Sequence, residues 1–517
     1  MKSEASQAGV LVDARDYYRA FYRAARRARQ YIAITGWQFD SNVALLRGED
    51  AHGTDEARML PMLRELCEHN PELHIYILAW DFSLLLALER EWMQQTLFNW
   101  RSDQISFRFD GSAPLSGSHH QKLVLIDGKL AFAGGMDICD CRWDDRDHPA
   151  RSSMRCDTGR DPHGPYHDVQ AVLTGPVVEP LVELFEARWF NSGGGPLKLP
   201  APVPSDDEVA VEATLMLPPG PVALSRTFGK TLVPLQESVQ EIRALYLEAI
   251  QSAERFIYLE NQYFSSRAIF EALMSRMQQS ERGRLEIVFV LPRQPEALRE
   301  QLAMGVAQVK MLRLLRDTAK ELGHSLGVYC TAAKDEEGND RYTYIHSKLM
   351  VVDDRLLTLG SANTTNRSLG LDSELNLSWE AEEGPDGEEL RGTIRRLRVG
   401  LLAEHAGLQG VTAVRQLARA RRLVPFLDAL AESRQHRLRP HPMETVFDQN
   451  PLFKPLEPEA LIIDPEDSVL DESLFESLRQ DGGMFATSFR LLTRWFIGGP
   501  EHAHPASLPA DLPSSEP

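Results

Sequence analysis

Cysteine is scarce in this chain: five residues in 517, at positions 67, 139, 141, 156 and 330. So odd and sparse a set excludes a disulfide-stapled scaffold. It suits a reducing compartment, or an export route that adds no disulfides. Long apolar runs are missing too. No window holds the roughly 18 apolar residues that a membrane span requires, and MKSEASQAGVLVDARDYY lacks a core of signal-peptide length. Positive charge is in deficit, since 56 Lys and Arg face 75 Asp and Glu and leave a formal net charge of −19. Binding a nucleic-acid backbone needs clustered cations, so a general DNA- or RNA-binding role is disfavoured. The same balance argues against strong adsorption to anionic lipid. What is present, 43% hydrophobic and 25% charged residues, is the composition of a folded protein. The length predicts two to four domains, or one duplicated domain.

Duplication is the reading the sequence supports. HHQKLVLIDG (119–128) has a counterpart in IHSKLMVVDD (345–354), and both contain H-x-K-x4-D. LAFAGGMD (130–137) matches LLTLGSAN (356–363), ARQYIAITGWQF (28–39) matches AERFIYLENQYF (253–264), and LHIYILAW (73–80) matches LEIVFVLP (285–292). Four blocks in one order at similar offsets predict two copies of an α/β unit. Each copy runs helix, strand, helix, strand, long connection, motif strand, short strand and closing helix. The expected organisation is a first half over 10–192, a Gly- and Pro-rich linker over 193–208 and a second half over 209–404. A C-terminal extension over 405–498 and a disordered tail over 499–517 would follow. The predicted fold is an internally duplicated pseudo-dimer of two α/β/α sandwiches, with the active site at their interface.

Strand alternation puts His120 and Lys122 on one side, with His346 and Lys348 equivalent, while Asp127 and Asp353 have the opposite parity and tie down the strand end. If the halves meet face to face, two imidazoles and two ammonium groups share a pocket suited to a phosphodiester. The lysines neutralise anionic oxygens. One histidine attacks phosphorus and the other protonates the leaving alcohol, with no metal or cofactor required. Each histidine needs an acceptor for its other nitrogen. Asp168 and Glu374 qualify, following the histidine of their own half by 48 and 28 positions. The longer spacing marks an insertion, CDCRWDDRDHPARSSMRCDTGRDPHG, fit for a substrate-shaping loop.

These paired motifs, with GGMDICDCRWDDRDHP, PYHDVQAVLTGP, FIYLENQYF and GSANTTNRSLGLDSELNL, resemble the phospholipase D superfamily, and within it the plant and animal enzymes and their bacterial relatives. The resemblance covers roughly 28–380. It implies a catalytic set of His120, His346, Lys122, Lys348, Asp127, Asp353, Asp168 and Glu374, with His120 favoured as nucleophile. Phosphate would be bound by Lys122, Lys348, Asn363 and, with less support from the residues themselves, Ser361. Asp137 stands where the second half has Asn, so the phosphate contacts of the two halves should be unequal. The implied activity is hydrolysis of glycerophospholipid to phosphatidic acid and a head-group alcohol through phosphohistidine, with competing transfer to other alcohols. A cardiolipin synthase-like phosphatidyltransferase, a nuclease and a silent lipid-binding scaffold are the alternatives. The expected partner is a phospholipid at a membrane surface, met by a monomer without a transmembrane anchor. Cytoplasmic or peripheral-membrane residence is expected, and signal-peptide-independent secretion also fits. No lipid-binding module is seen before the first half, so calcium dependence is not carried over.

Plainer readings stand beside several of these residues. Cys139, Cys141, Cys156, His148 and His163 crowd the insertion, but Cys-x-Cys lacks zinc-site spacing and a metal is disfavoured. Trp37, Gln38, Glu260, Asn261, Gln262 and Tyr263 follow strand ends near the expected pocket. Asn261 and Gln262 are the better pocket candidates, while Arg367 caps a turn as readily as it binds phosphate. The segments 81–100 and SFRLLTRWFIGG are candidate membrane contacts, or docked helices. His119 has no assigned role.

Overall fold

A computed structural model describes residues 1–51, 57–81, 94–99, 102–114, 116–203, 211–232, 235–293, 298–443 and 464–466. All lie in one compact unit, Met1–Val469. The tail 499–517, the candidate contact SFRLLTRWFIGG and most of 81–100 fall outside the described residues.

The two halves repeat one topology. In the first sheet, Tyr31–Gly36 runs parallel to His74–Trp80 and antiparallel to the motif strand Lys122–Ile126. In the second, Phe256–Glu260 runs parallel to Glu286–Val290 and antiparallel to the motif strand Leu349–Val352. Each motif strand then turns back into Leu130–Gly134 or Leu356–Gly360. The helices Asp13–Ala25 and Glu241–Ser252 lead into the equivalent strands. Val178–Trp189 and Pro385–Ala406 follow the last strand of each copy.

The motif strands are buried on both faces, which explains their near-continuous apolar sequence. Leu123 and Leu125 join Leu349, Val351, Leu357 and Leu377 in a core shared by the two sheets. Val124 and Ile126 pack instead with Tyr17, Tyr18 and Phe21, on the first half's own helical side. The second half has its own outer core around Met350, Val352, Tyr246 and Ile250.

Strand exchange stitches the halves together and corrects the expected boundaries. Lys2–Ala5 pairs with Gly220–Phe228 in the second sheet. Leu215–Leu217, assigned from sequence to the second half, pairs with Gln7–Val12 in the first. Sheet pairing is decided by neighbours in space, which a linker composition does not report. Residues 411–433 form two helices, Val411–Ala418 and Leu423–Ser433, and Leu438–Pro440 adds to the second sheet. No helix among the described residues is long and apolar enough to cross a membrane.

Candidate active site

The site forms where both motif strands begin. His120 and His346 precede regular pairing, so strand alternation does not orient them. Lys122 has the parity of Val124 and Ile126, which face the helices. The histidines therefore meet at the strand ends and not on the facing surfaces of the sheets.

Each segment is fixed by the opposite half. The His120 amide donates to Ser373 O at 2.9 Å, Ser373 N donates to Ser118 O, and the Ser118 amide donates to Asp372 Oδ1. Across the pseudo-twofold, Tyr344–Ile345 pairs in parallel with Tyr166–His167, and the His346 amide donates to His167 O at 2.8 Å.

This exchange crosses the histidine partners. His120 Nδ1 lies 3.0 and 3.1 Å from the carboxylate oxygens of Glu374, and His346 Nδ1 lies 2.6 Å from Asp168 Oδ2. The sequence reading paired each acid with the histidine of its own half. The structure pairs each with the other, because the strand that carries the acid lies beside the opposite motif. Both carboxylates are sealed, whereas the His120 and His346 side chains keep 15% and 10% exposure. With Nδ1 committed, Nε2 is the nitrogen left for substrate.

Electrostatics favour neutral imidazoles. Burial, then Lys122 and Lys348, hold His120 well below the usual histidine range. Burial, Lys348, Arg142 and Lys122 do the same to His346. Burial also pushes the Asp168 carboxyl up to about 7 and that of Glu374 up to about 8, and brings Lys348 down to about 7.

The phosphate-binding candidates divide. Lys122 Nζ sits 3.0 Å from Asp137 Oδ2 and 3.0 Å from His120 O. Lys348 Nζ donates to His346 O and, at 3.3 Å, to Gln262 Oε1, which also accepts from Asn363 Nδ2. One lysine thus has a carboxylate neighbour and the other an amide, so the halves are unequal in charge. Asn363 Oδ1 is buried without a hydrogen-bond partner. Ser361 departs from expectation: fully buried, it donates to Glu374 Oε2 at 2.5 Å and accepts from Leu375 N, which leaves no hydroxyl for phosphate.

Asp127 and Asp353, included in the catalytic set by resemblance, stand apart from it. Asp127 accepts the amides of Arg29, Gln30 and Tyr31, and Asp353 those of Glu254, Arg255 and Phe256. Both occupy positive-φ turns at the far end of the motif strand, about 17 Å of chain from the lysine. They anchor the start of the neighbouring strand. A cavity of about 1060 Å³ lined by Tyr31, Gly128, Lys129 and Pro202 opens at that same far end.

Other residues find places that sequence left open. His119 bridges Ser373 Oγ (2.8 Å) and Asp110 Oδ1 (3.2 Å), and Asp110 is held by Arg188. Asn261 is fully buried and accepts the Thr364 and Tyr263 amides, a structural role where a pocket role was expected. Gln262 does reach the site. Trp37 donates its amide to Asp137 and its ring lies 5.8 Å from Trp80. Arg367 is bidentate on Asp372. Gly135 is needed for space: a Cβ there would collide with Asp168 Oδ1. Sequence reasoning missed Ser373 and Asp372, although their adjacency to Glu374 was a usable signal.

Two family models match in the same order as the halves: "Phospholipase D" over residues 24–216 and "Cardiolipin synthase, PLD-like domain" over 246–388. The chain is 24% identical to "Phospholipase D alpha 1" of Carica papaya, over 75% of this chain and 63% of that protein. It is 24% identical to "Phospholipase D1" of Saccharomyces cerevisiae, over 69% of this chain and 26% of that protein. The chain therefore spans less than two thirds of the length of these relatives. Among solved structures, phosphatidylserine synthase of Haemophilus influenzae superposes with a TM-score of 0.52 at 15% identity, covering 83% of this chain and 94% of that one, a likeness of fold. Two ordered family domains, each contributing a histidine to one interface, place the chain in the phospholipase D superfamily.

Proposed function

We propose that the protein is a phospholipase D-type phosphodiesterase that releases the head-group alcohol of a glycerophospholipid through a phosphohistidine. The observation that carries this reading is the crossed pair of histidine–carboxylate contacts, each half holding the other half's imidazole. His120 Nε2, neutral in the free protein, attacks phosphorus as the P–O bond to the head group breaks. His346 delivers a proton to the departing oxygen. Its low basicity in the free site comes first from burial and then from the nearby cations, and the negative charge of the bound phosphate opposes both by favouring the protonated ring. Lys122, Lys348 and Asn363 hold the non-bridging oxygens. His346 then activates water, which returns phosphatidic acid and free His120, or an alcohol, which returns a new phosphodiester.

Incubation with phosphatidylcholine and phosphatidylethanolamine vesicles plus ethanol tests the reading: phosphatidic acid and phosphatidylethanol should both appear. His120→Ala and His346→Ala should each abolish turnover, and substantial activity in either would falsify the shared site. A second reading, net phosphatidyl transfer in lipid synthesis, draws on the match of the second half to the cardiolipin synthase-type domain. It predicts a lipid acceptor outcompeting water. Cleavage of supercoiled plasmid with lipid left intact would favour a nuclease.

A further inference from the structure

Behind the Asp168–His346 pair lies a second constellation that the chemistry above does not use. Asp13, His148, His167 and Glu404 converge from the start of the first helix, the insertion, the strand before Asp168 and the closing helix of the second half. All four are buried, and one ligand atom from each lies within 4.8 Å of the others. His148 Nε2 is 3.4 Å from Asp13 Oδ2 and 3.1 Å from Glu404 Oε1. His167 Nδ1 is 2.9 Å from Asp13 Oδ1 and 3.0 Å from Glu404 Oε1. Bonds of about 2.0–2.1 Å to a tetrahedral ion space its ligands by roughly 3.3 Å; the histidine–carboxylate separations run from 2.9 to 3.4 Å, with Asp13 offering a different oxygen to each histidine.

Two atoms point to a ligand independently of the cluster's composition. Asp13 Oδ2 and His167 Nδ1 are fully buried without a well-formed hydrogen bond and face only other members of the cluster, Asp13 Oδ2 at 3.4 Å from His148 Nε2 and His167 Nδ1 at 2.9 and 3.0 Å from carboxylate oxygens. The surrounding shell has the form that metal-bound histidines require. His148 Nδ1 contacts Asp144 Oδ2 at 2.8 Å and His167 Nε2 contacts Glu260 Oε2 at 3.0 Å, so each ring has a carboxylate on its outer nitrogen. Asp144 is in turn held by Arg155, and the outer oxygen of Glu404 by Arg146 at 2.5 Å. Asp13 and His148 both adopt positive φ, an unfavourable backbone that the assembled cluster maintains.

We infer that Asp13, His148, His167 and Glu404 form a binding site for a divalent transition-metal ion, with zinc the ion that two imidazoles and two carboxylates in a tetrahedral set select. The cysteines of the insertion take no part; His148 is the insertion's contribution. The ion is structural, since all four positions come from protein and none is left for substrate. It ties both halves together next to Asp168, whose amide donates to Asp13 Oδ1 at 3.3 Å.

The test uses the full chain, purified without a metal-affinity tag and analysed for metal by plasma mass spectrometry. About one equivalent of zinc per chain is expected. Stripping with chelator should lower the melting temperature, and zinc, but not magnesium, should restore it. His148→Ala with Asp13→Asn should hold under one tenth of an equivalent. Should that double variant fail to fold, zinc titration of stripped wild type against the single Asp13→Asn variant decides, with at least tenfold weaker binding expected in the variant. Stripped wild-type chain that takes up no zinc, or a variant that binds it equally well, overturns the site and leaves a network of imidazoliums balancing carboxylates.

Discussion

His346 Nδ1 lies 2.6 Å from Asp168 Oδ2, a carboxylate 178 residues earlier in the chain and on the other half of the molecule. Its counterpart, His120 with Glu374, spans 254 residues in the opposite sense. Neither half contains a complete histidine–acceptor pair, so the site is complete only where the two halves meet.

Glu374 supplies the first prediction. Its carboxyl is raised to about 8 in the fold, from an ordinary value near 4.5, chiefly by burial and then by Asp372. Between those values the folded chain holds a proton that the unfolded chain has released. Stability is thus complete below about 4.5 and lost as pH rises through about 8. Glu374→Gln removes that penalty while weakening the hold on His120. The variant should lose on the order of 10²–10⁴ in kcat, yet melt progressively higher than wild type from pH 5 to pH 9. A melting difference that stays constant over that range would contradict the assignment.

Lys348 predicts the alkaline limb of the rate profile. Burial brings it down to about 7, so it is charged below that pH and neutral above. If its charge binds phosphate, kcat/KM should fall above about pH 7 by about tenfold per unit. Lys348→Arg, permanently charged, should turn over more slowly but lose this limb. An unchanged limb in the variant would assign it to another group.

Asp127 and Asp168 should fail differently. Asp127 accepts three backbone amides far from the lysine, and Asp127→Asn should cost about 2–4 kcal/mol of stability with kcat per folded molecule retained. Asp168→Asn should retain the fold and lose kcat. Denaturant melts alongside turnover, normalised to folded protein, separate the two.

Gly135 offers a steric check on the same pair. A methyl group there meets Asp168 Oδ1, so Gly135→Ala should displace the carboxylate and lower kcat by about tenfold or more, with little change in KM. Wild-type turnover in Gly135→Ala would mean that the acid's position is not critical.

The sequence by itself determined the duplication, the strand that carries each motif and the anchoring role of Asp127 and Asp353. These follow from local pattern: matched blocks in one order at similar offsets, apolar runs buried on both faces, and an aspartate at the turn that ends each motif strand. Tertiary structure alone decided the crossed acid–histidine pairing, the commitment of Ser361 to Glu374, the burial of Asn261, and the gathering of Asp13, His148, His167 and Glu404. Each depends on segments 13 to 391 residues apart brought together by the docking of two sheets and their exchanged strands. Spacing along the chain records which half a residue belongs to. It does not record which half that residue faces.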